Sequence, residues 1–125
     1  MKKMKDLVVN VENATVRVKG RVILDNLSLQ IKRGDHHFIL GANGAGKTTL
    51  VKMLMGFVWP LYGAKIEILG KLFGNYNLAD LRRRIAWVSP FFQQWGNHDS
   101  TGLDLIISGV DGTLDLFRKP TDAEV

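Results

Sequence analysis

A chain of 125 residues that is 46% hydrophobic and 23% charged has the size and composition of one globular domain. No apolar run nears the roughly 18 residues of a membrane-spanning helix, and the basic start Met1 to Lys5 leads into a stretch broken by Asn10, Glu12 and Asn13 rather than a signal peptide, so a cytoplasmic protein is expected. The net charge of +5 comes from scattered residues, clustered only at Lys2/Lys3/Lys5 and Arg82-Arg83-Arg84 without interleaved aromatics, and no cysteine is present; nucleic acid is therefore not expected as a partner, and disulfides and thiolate metal sites are excluded.

Leu7-Val8-Val9, Thr15-Val16-Arg17-Val18 and Leu27-Ser28-Leu29-Gln30-Ile31 are β-rich runs separated by polar residues and Gly20, and read as antiparallel strands. Lys32-Arg33-Gly34-Asp35 is turn chemistry, and residues 36–40, stopped by Gly41, read as a short buried strand. Leu50, Met53, Leu54 and Phe57 then fall on one face of an amphipathic helix that Gly56 and Pro60 help to close. Residues 63–69 suggest another strand, 78–84 a short helix and 85–88 a strand ended by Pro90. Thr101 and Asp104 begin a further helix through Leu105-Ile106-Ile107, which Gly109 and Gly112 interrupt. Thr121 and Glu124 repeat the capping-box spacing one residue before the last. A helix left in its first turn cannot be stable alone, so a fragment is expected.

Between the strand expected at 36–40 and the helix lies Gly41-Ala42-Asn43-Gly44-Ala45-Gly46-Lys47-Thr48, which satisfies G-x-x-x-x-G-K-[ST] in the strand–loop–helix context that motif requires. Backbone N–H groups must converge on phosphate oxygens, so side chains are absent where the loop wraps closest, at Gly41, Gly44 and Gly46. The helix start adds its unsatisfied amides and positive dipole end. Lys47 adds a mobile cation for the outer phosphates, and Thr48 offers a hydroxyl to magnesium.

With residues 41–50 reading GANGAGKTTL and Gly34 seven residues before them, the chain resembles the amino-terminal half of an ATP-binding cassette ATPase. Residues 20–29 resemble that family's strand-rich subdomain, 63–70 its strand after the loop's helix, and 81–89 its approach to the glutamine loop. Within the family, Trp87-Val88-Ser89-Pro90 and Ile106-Ile107-Ser108-Gly109 look most like the molybdenum-transport and photorepair branch. The resemblance implies an α/β fold of the P-loop NTPase type with an amino-terminal antiparallel β subdomain and an incomplete core sheet. Residues 1–125 would then be the amino-terminal part of one nucleotide-binding domain, strand-rich over about 5–70 and entering the helical part at about 95–125. It implies ATP and magnesium held by Gly41, Ala42, Asn43, Gly44, Ala45, Gly46, Lys47, Thr48 and Thr49. It also implies a second nucleotide-binding domain in a sandwich dimer, a transmembrane subunit, and a place in the cytoplasm or at the inner face of the cell membrane.

Three departures qualify that implication. The family's loop glutamine, which reaches magnesium and the attacking water, has its place taken by Pro90, leaving Gln93 as the substitute and Gln94 beside it. Near Val18, where the family stacks an aromatic on adenine, the residue is aliphatic, so an apolar wall replaces a ring. No Leu-Ser-Gly-Gly, no apolar strand ending in Asp-Glu and no later switch histidine occurs up to Val125; binding without turnover is expected of the chain alone. A non-catalytic nucleotide-binding module and a photorepair-like nucleic-acid-associated ATPase stand as alternatives. His36 and His37, adjacent on an expected strand, would point to opposite faces and not chelate together. His98-Asp99 reads as surface, and Phe91, Phe92 and Trp95 as a patch for a membrane partner.

Overall fold

Alternating apolar and polar side chains build β1 (Leu7–Val18) and β2 (Arg21–Lys32) into an antiparallel hairpin. This is a computed structural model that describes residues 6–90, 99–113, 121 and 123, and it divides into two units, Met1–Tyr76 and Asn77–Val125. Lys19 and Gly20, the two residues of the hairpin turn, have φ of 49° and 80°, a turn whose twist matches that of the strands. β3 (Lys65–Ile68) pairs antiparallel with β1, and β4 (Lys71–Leu72) with β3, in the order β2-β1-β3-β4. The antiparallel strands expected of residues 7–31 are present, but longer than the apolar runs alone mark out.

Polar residues that interrupt the apolar pattern belong to the ladder. Asn10 is buried because both ends of its amide are satisfied: Gln30 Nε2 donates to its Oδ1 at 2.9 Å, and its own Nδ2 donates to Glu12 Oε1 at 2.7 Å. Glu12 stands opposite Lys65, 3.5 Å from its ammonium. Between the pairs Val11/Leu29 and Ala14/Leu27, β1 advances three residues while β2 advances two; between Ala14/Leu27 and Val16/Leu24 the excess passes to β2. These two opposed bulges offset each other, as do two further one-residue shifts, one in β1 between Leu7 and Val9 and one in β2 between Leu24 and Val22, and Val11, Ala14, Val16 and Leu24 all stay buried. The amides of Asn13 and Asn26, both at positive φ, donate to Ser28 Oγ at 3.1 Å and Thr15 Oγ1 at 3.0 Å.

α1 (Lys47–Leu54) buries Leu50 and Met53, the latter completely, and such a side chain contributes about 1.5–3 kcal/mol by leaving water. The helix is shorter than the apolar spacing through Phe57 implies. Gly56 N–H bonds to Met53 O at 3.0 Å and Phe57 N–H to Lys52 O at 2.9 Å, the paired bonds that close a helix end.

In the second unit, Asn77 Oδ1 accepts from Ala79 N at 2.9 Å and starts α2 (Leu78–Arg82). α3 (Gly102–Asp111) opens on the expected capping box: Asp104 N donates to Thr101 Oγ1 at 3.2 Å, and Thr101 N to Asp104 Oδ2 at 2.8 Å. Gly109 does not interrupt this helix, which ends only at Gly112. Leu81 and Ile107 are buried, and Arg82 Nε donates to Gly112 O at 3.0 Å.

Two expected strands are not formed. Residues 36–40 and 85–88 lie outside the sheet, with Phe38 91%, Leu40 90% and Val88 97% exposed. A parallel strand needs neighbours to take its N–H and C=O groups, and among the described residues no strand pairs with either segment. The second capping-box spacing, Thr121 to Glu124, falls largely outside the described residues. No helix among them is long and apolar enough to cross a membrane.

Candidate functional site

The glycine loop passes from residue 41 into α1 over the surface of β2. Gly46 is the N-cap of α1, in the left-handed region at φ 95°, and no side chain caps this end. A Cβ there would lie 2.9 Å from Leu24 Cδ2, 3.0 Å from Ile23 O and 3.3 Å from Ile23 Cγ2. Only glycine satisfies both the backbone angle and the close approach to β2. The first helical turn, at the positive end of the helix dipole, thus starts without a side-chain cap for its amides.

Lys47 fixes the loop's closure. Its Nζ donates to Gly41 O at 2.6 Å and Ala42 O at 2.7 Å, and Ala45 N donates to Ala42 O at 3.2 Å. Ala45 Cβ also fills the space above Gly41, where a Cβ would meet it at 3.1 Å. An ammonium is thus held at the rim of a cleft of about 310 Å³ lined by Ile23, Asn43, Gly44, Gly46, Lys47, Thr48 and Thr49, at the small end of the roughly 300–1,000 Å³ of ligand sites.

Of the expected site residues, Asn43, Gly44, Gly46, Lys47, Thr48 and Thr49 line one cleft, and Gly41, Ala42 and Ala45 shape the turn that holds Lys47. Gln93, Gln94, Phe91, Phe92, Trp95 and His98 lie outside the described residues. His36 and His37 are exposed in an irregular segment, with His37 Nε2 3.8 Å from Asp35 Oδ2; the opposite-face argument made for a strand does not apply to them. Val18, where an apolar wall is expected, is not among the described residues that line the cleft, whereas Ile23 is.

A glycine loop that runs into a helix start with a lysine, beside an antiparallel β subdomain, is an arrangement shared with P-loop NTPases, and the solved ATP-binding cassettes that the chain superposes on have that fold. The family model described as ABC transporter matches residues 24–107, and the chain belongs to that family. It is 29% identical over 118 residues to a putative ABC transporter ATP-binding protein of Streptococcus mutans, covering 94% of this chain and 45% of that protein. It is also 29% identical over 113 residues to the ABC transporter ATP-binding protein ModF of Escherichia coli, covering 90% of this chain and 23% of that one. The crystal structure of the ADP conformation of an ATP-binding cassette of an ABC transporter superposes with a TM-score of 0.54 at 27% identity, over 62% of this chain and 30% of that one. The chain spans less than half the length of these relatives.

Proposed function

We propose that the chain binds the phosphates of Mg-ATP in the cleft at residues 41–49, as the amino-terminal part of the nucleotide-binding domain of a transporter ATPase. The carrying observation is that one cleft gathers the amides of a helix start that lacks a side-chain cap, two threonine hydroxyls and the ammonium of Lys47. An anion is the complement of that set, because it caps the helix, meets the dipole and neutralises the lysine. Gly44 and Gly46 bring backbone close to the phosphates, Lys47 meets the outer two, and Thr49 adds a hydroxyl bond. Gly41, Ala42, Asn43 and Ala45 set the loop's curvature.

Magnesium fits this donor set. Thr48 supplies a hard oxygen at the cleft, and no group of three carboxylate or imidazole side chains among the described residues converges to hold a metal. An ion bound mainly through nucleotide phosphates needs few protein ligands. When bound, it would offset charge on the outer phosphates, and Gln93 is the residue proposed to reach it.

In the whole protein the cassette would pair with a second one, dock on a transmembrane subunit at the cytoplasmic side, and couple ATP hydrolysis to transport. The relatives' names as ABC transporter ATP-binding proteins support this. Within that work, phosphate binding is the part assigned to residues 41–49. Titration calorimetry with Mg-ATP tests the reading. Lys47→Ala is expected to weaken binding by about ten- to a hundredfold, the loss of a charge-assisted bond; equal affinity in a folded variant would overturn it.

A further inference from the structure

We propose that Asn43-Gly44 is a site of spontaneous modification, at which the loop converts its own asparagine into aspartate and isoaspartate through a cyclic imide. The chemistry needs an asparagine followed by an unhindered backbone nitrogen, and Asn43 is the only asparagine of the chain that precedes a glycine. Asn43 and Gly44 are both exposed, and a Cβ at Gly44, where φ is 83°, would meet nothing within 4 Å. They are the two central residues of the turn that Ala45 N closes on Ala42 O. Among the described residues, no backbone oxygen accepts from Gly44 N–H. A second pair, Asp111-Gly112, could form the same imide with loss of water, but its nitrogen is engaged. Gly112 N donates to Gly109 O at 3.2 Å at the end of α3, and Ala79 O and the Arg83 side chain crowd the glycine. One pair is thus open to cyclise and the other is held.

In the first step Gly44 N attacks Asn43 Cγ. The N–Cγ bond forms, the Cγ–Nδ2 bond breaks, and Nδ2 leaves as ammonia with the proton that Gly44 N gives up. Water then opens the imide without any change of oxidation state. Cleavage between N and Cγ gives aspartate; cleavage between N and the backbone carbonyl carbon gives isoaspartate, whose main chain is longer by the β-carbon. Either product alters the phosphate cradle, a consequence that rests on the nucleotide reading above. Aspartate sets a carboxylate in the lining of a cleft for anions. Isoaspartate lengthens the turn next to the carbonyls of Gly41 and Ala42 that hold Lys47 Nζ. Bound nucleotide covers Asn43 in turn, so the site reacts when empty.

Incubation in mildly alkaline buffer, followed by peptide mass spectrometry and isoaspartyl methyltransferase labelling, tests the site in the folded chain and in urea. In the folded chain Asn43 is expected to convert faster than any other described asparagine while Asp111-Gly112 stays unlabelled; in urea both pairs take up label. An Asn43 that reacts no faster than Asn26 or Asn75, or an Asp111-Gly112 that labels as fast as Asn43 in the folded chain, overturns the proposal. Mg-ATP at about ten times its Kd is expected to slow Asn43 about tenfold, in proportion to the empty fraction, and binding stoichiometry by calorimetry is expected to fall in step with isoaspartate content. Equal rates with and without bound Mg-ATP, or full stoichiometry in a labelled sample, overturn the link to the phosphate cradle. If Mg-ATP does not bind at all, the nucleotide reading falls, and the mass change at Asn43 still decides the modification.

Discussion

Gly46 and Gly44 have similar backbones, with φ of 95° and 83°, but different surroundings. A Cβ at Gly44 meets nothing within 4 Å, whereas one at Gly46 runs into Leu24 and the Ile23 carbonyl. Gly44→Ala therefore bears only the left-handed backbone cost, about 1–2 kcal/mol. Gly46→Ala bears that cost and must also push α1 off β2, and is expected to lose about 2–4 kcal/mol in all. Urea denaturation of the two variants checks this, and equal midpoints would show that the contact with β2 yields freely. The motif spacing makes Gly41, Gly44, Gly46, Lys47 and Thr48 legible in the sequence. It cannot assign Ile23, whose part depends on how closely β2 passes the loop.

At the level of elements, α3 hangs on its first turn. Leu103, Leu105, Ile106 and Val110 are all exposed and only Ile107 and Ser108 are buried, so little packing backs up the capping box. Hydrogen bonds from the Thr101 hydroxyl and amide hold the Asp104 carboxyl below its ordinary value of 3.8. A carboxyl with a depressed folded pKa stabilises above its unfolded pKa, and that stability disappears as pH falls through the folded value. The stability difference between the natural chain and Asp104→Ala is thus expected to be full near neutrality and to vanish on acidification below the usual carboxylate range. Denaturant unfolding at a series of pH values measures it; a difference independent of pH would show that the carboxylate's charge plays no part. This helix start could be read from Thr101 and Asp104 because a cap is local chemistry. The strands expected at 36–40 and 85–88 could not, because a strand exists only through its neighbours, and apolar residues do not say whether those neighbours are present.

At the scale of the whole chain, the position of the site depends on the register of the hairpin. The tight turn at Lys19 and Gly20 fixes one end, and the pairing of Val11 with both Leu29 and Ile66 fixes the other. Sequence patterning conveys the two strands but hides their bulges, because Asn13 and Asn26 look like breaks in the strands when each is an extra residue within one. The opposed bulges make the hairpin's length a shared quantity. Removing Asn13 alone leaves the excess residue of β2 between Leu27 and Leu24 without a counterpart, so the pairing on one side of it must slip by one. Removing Asn13 and Asn26 together shortens both strands equally and keeps every inward side chain inward. The double deletion is expected to melt closer to the natural chain than either single deletion does, a comparison that thermal denaturation can make. Insertions and deletions in this part of the hairpin are therefore expected to be tolerated best as matched pairs, two residues thirteen positions apart in sequence gained or lost as one.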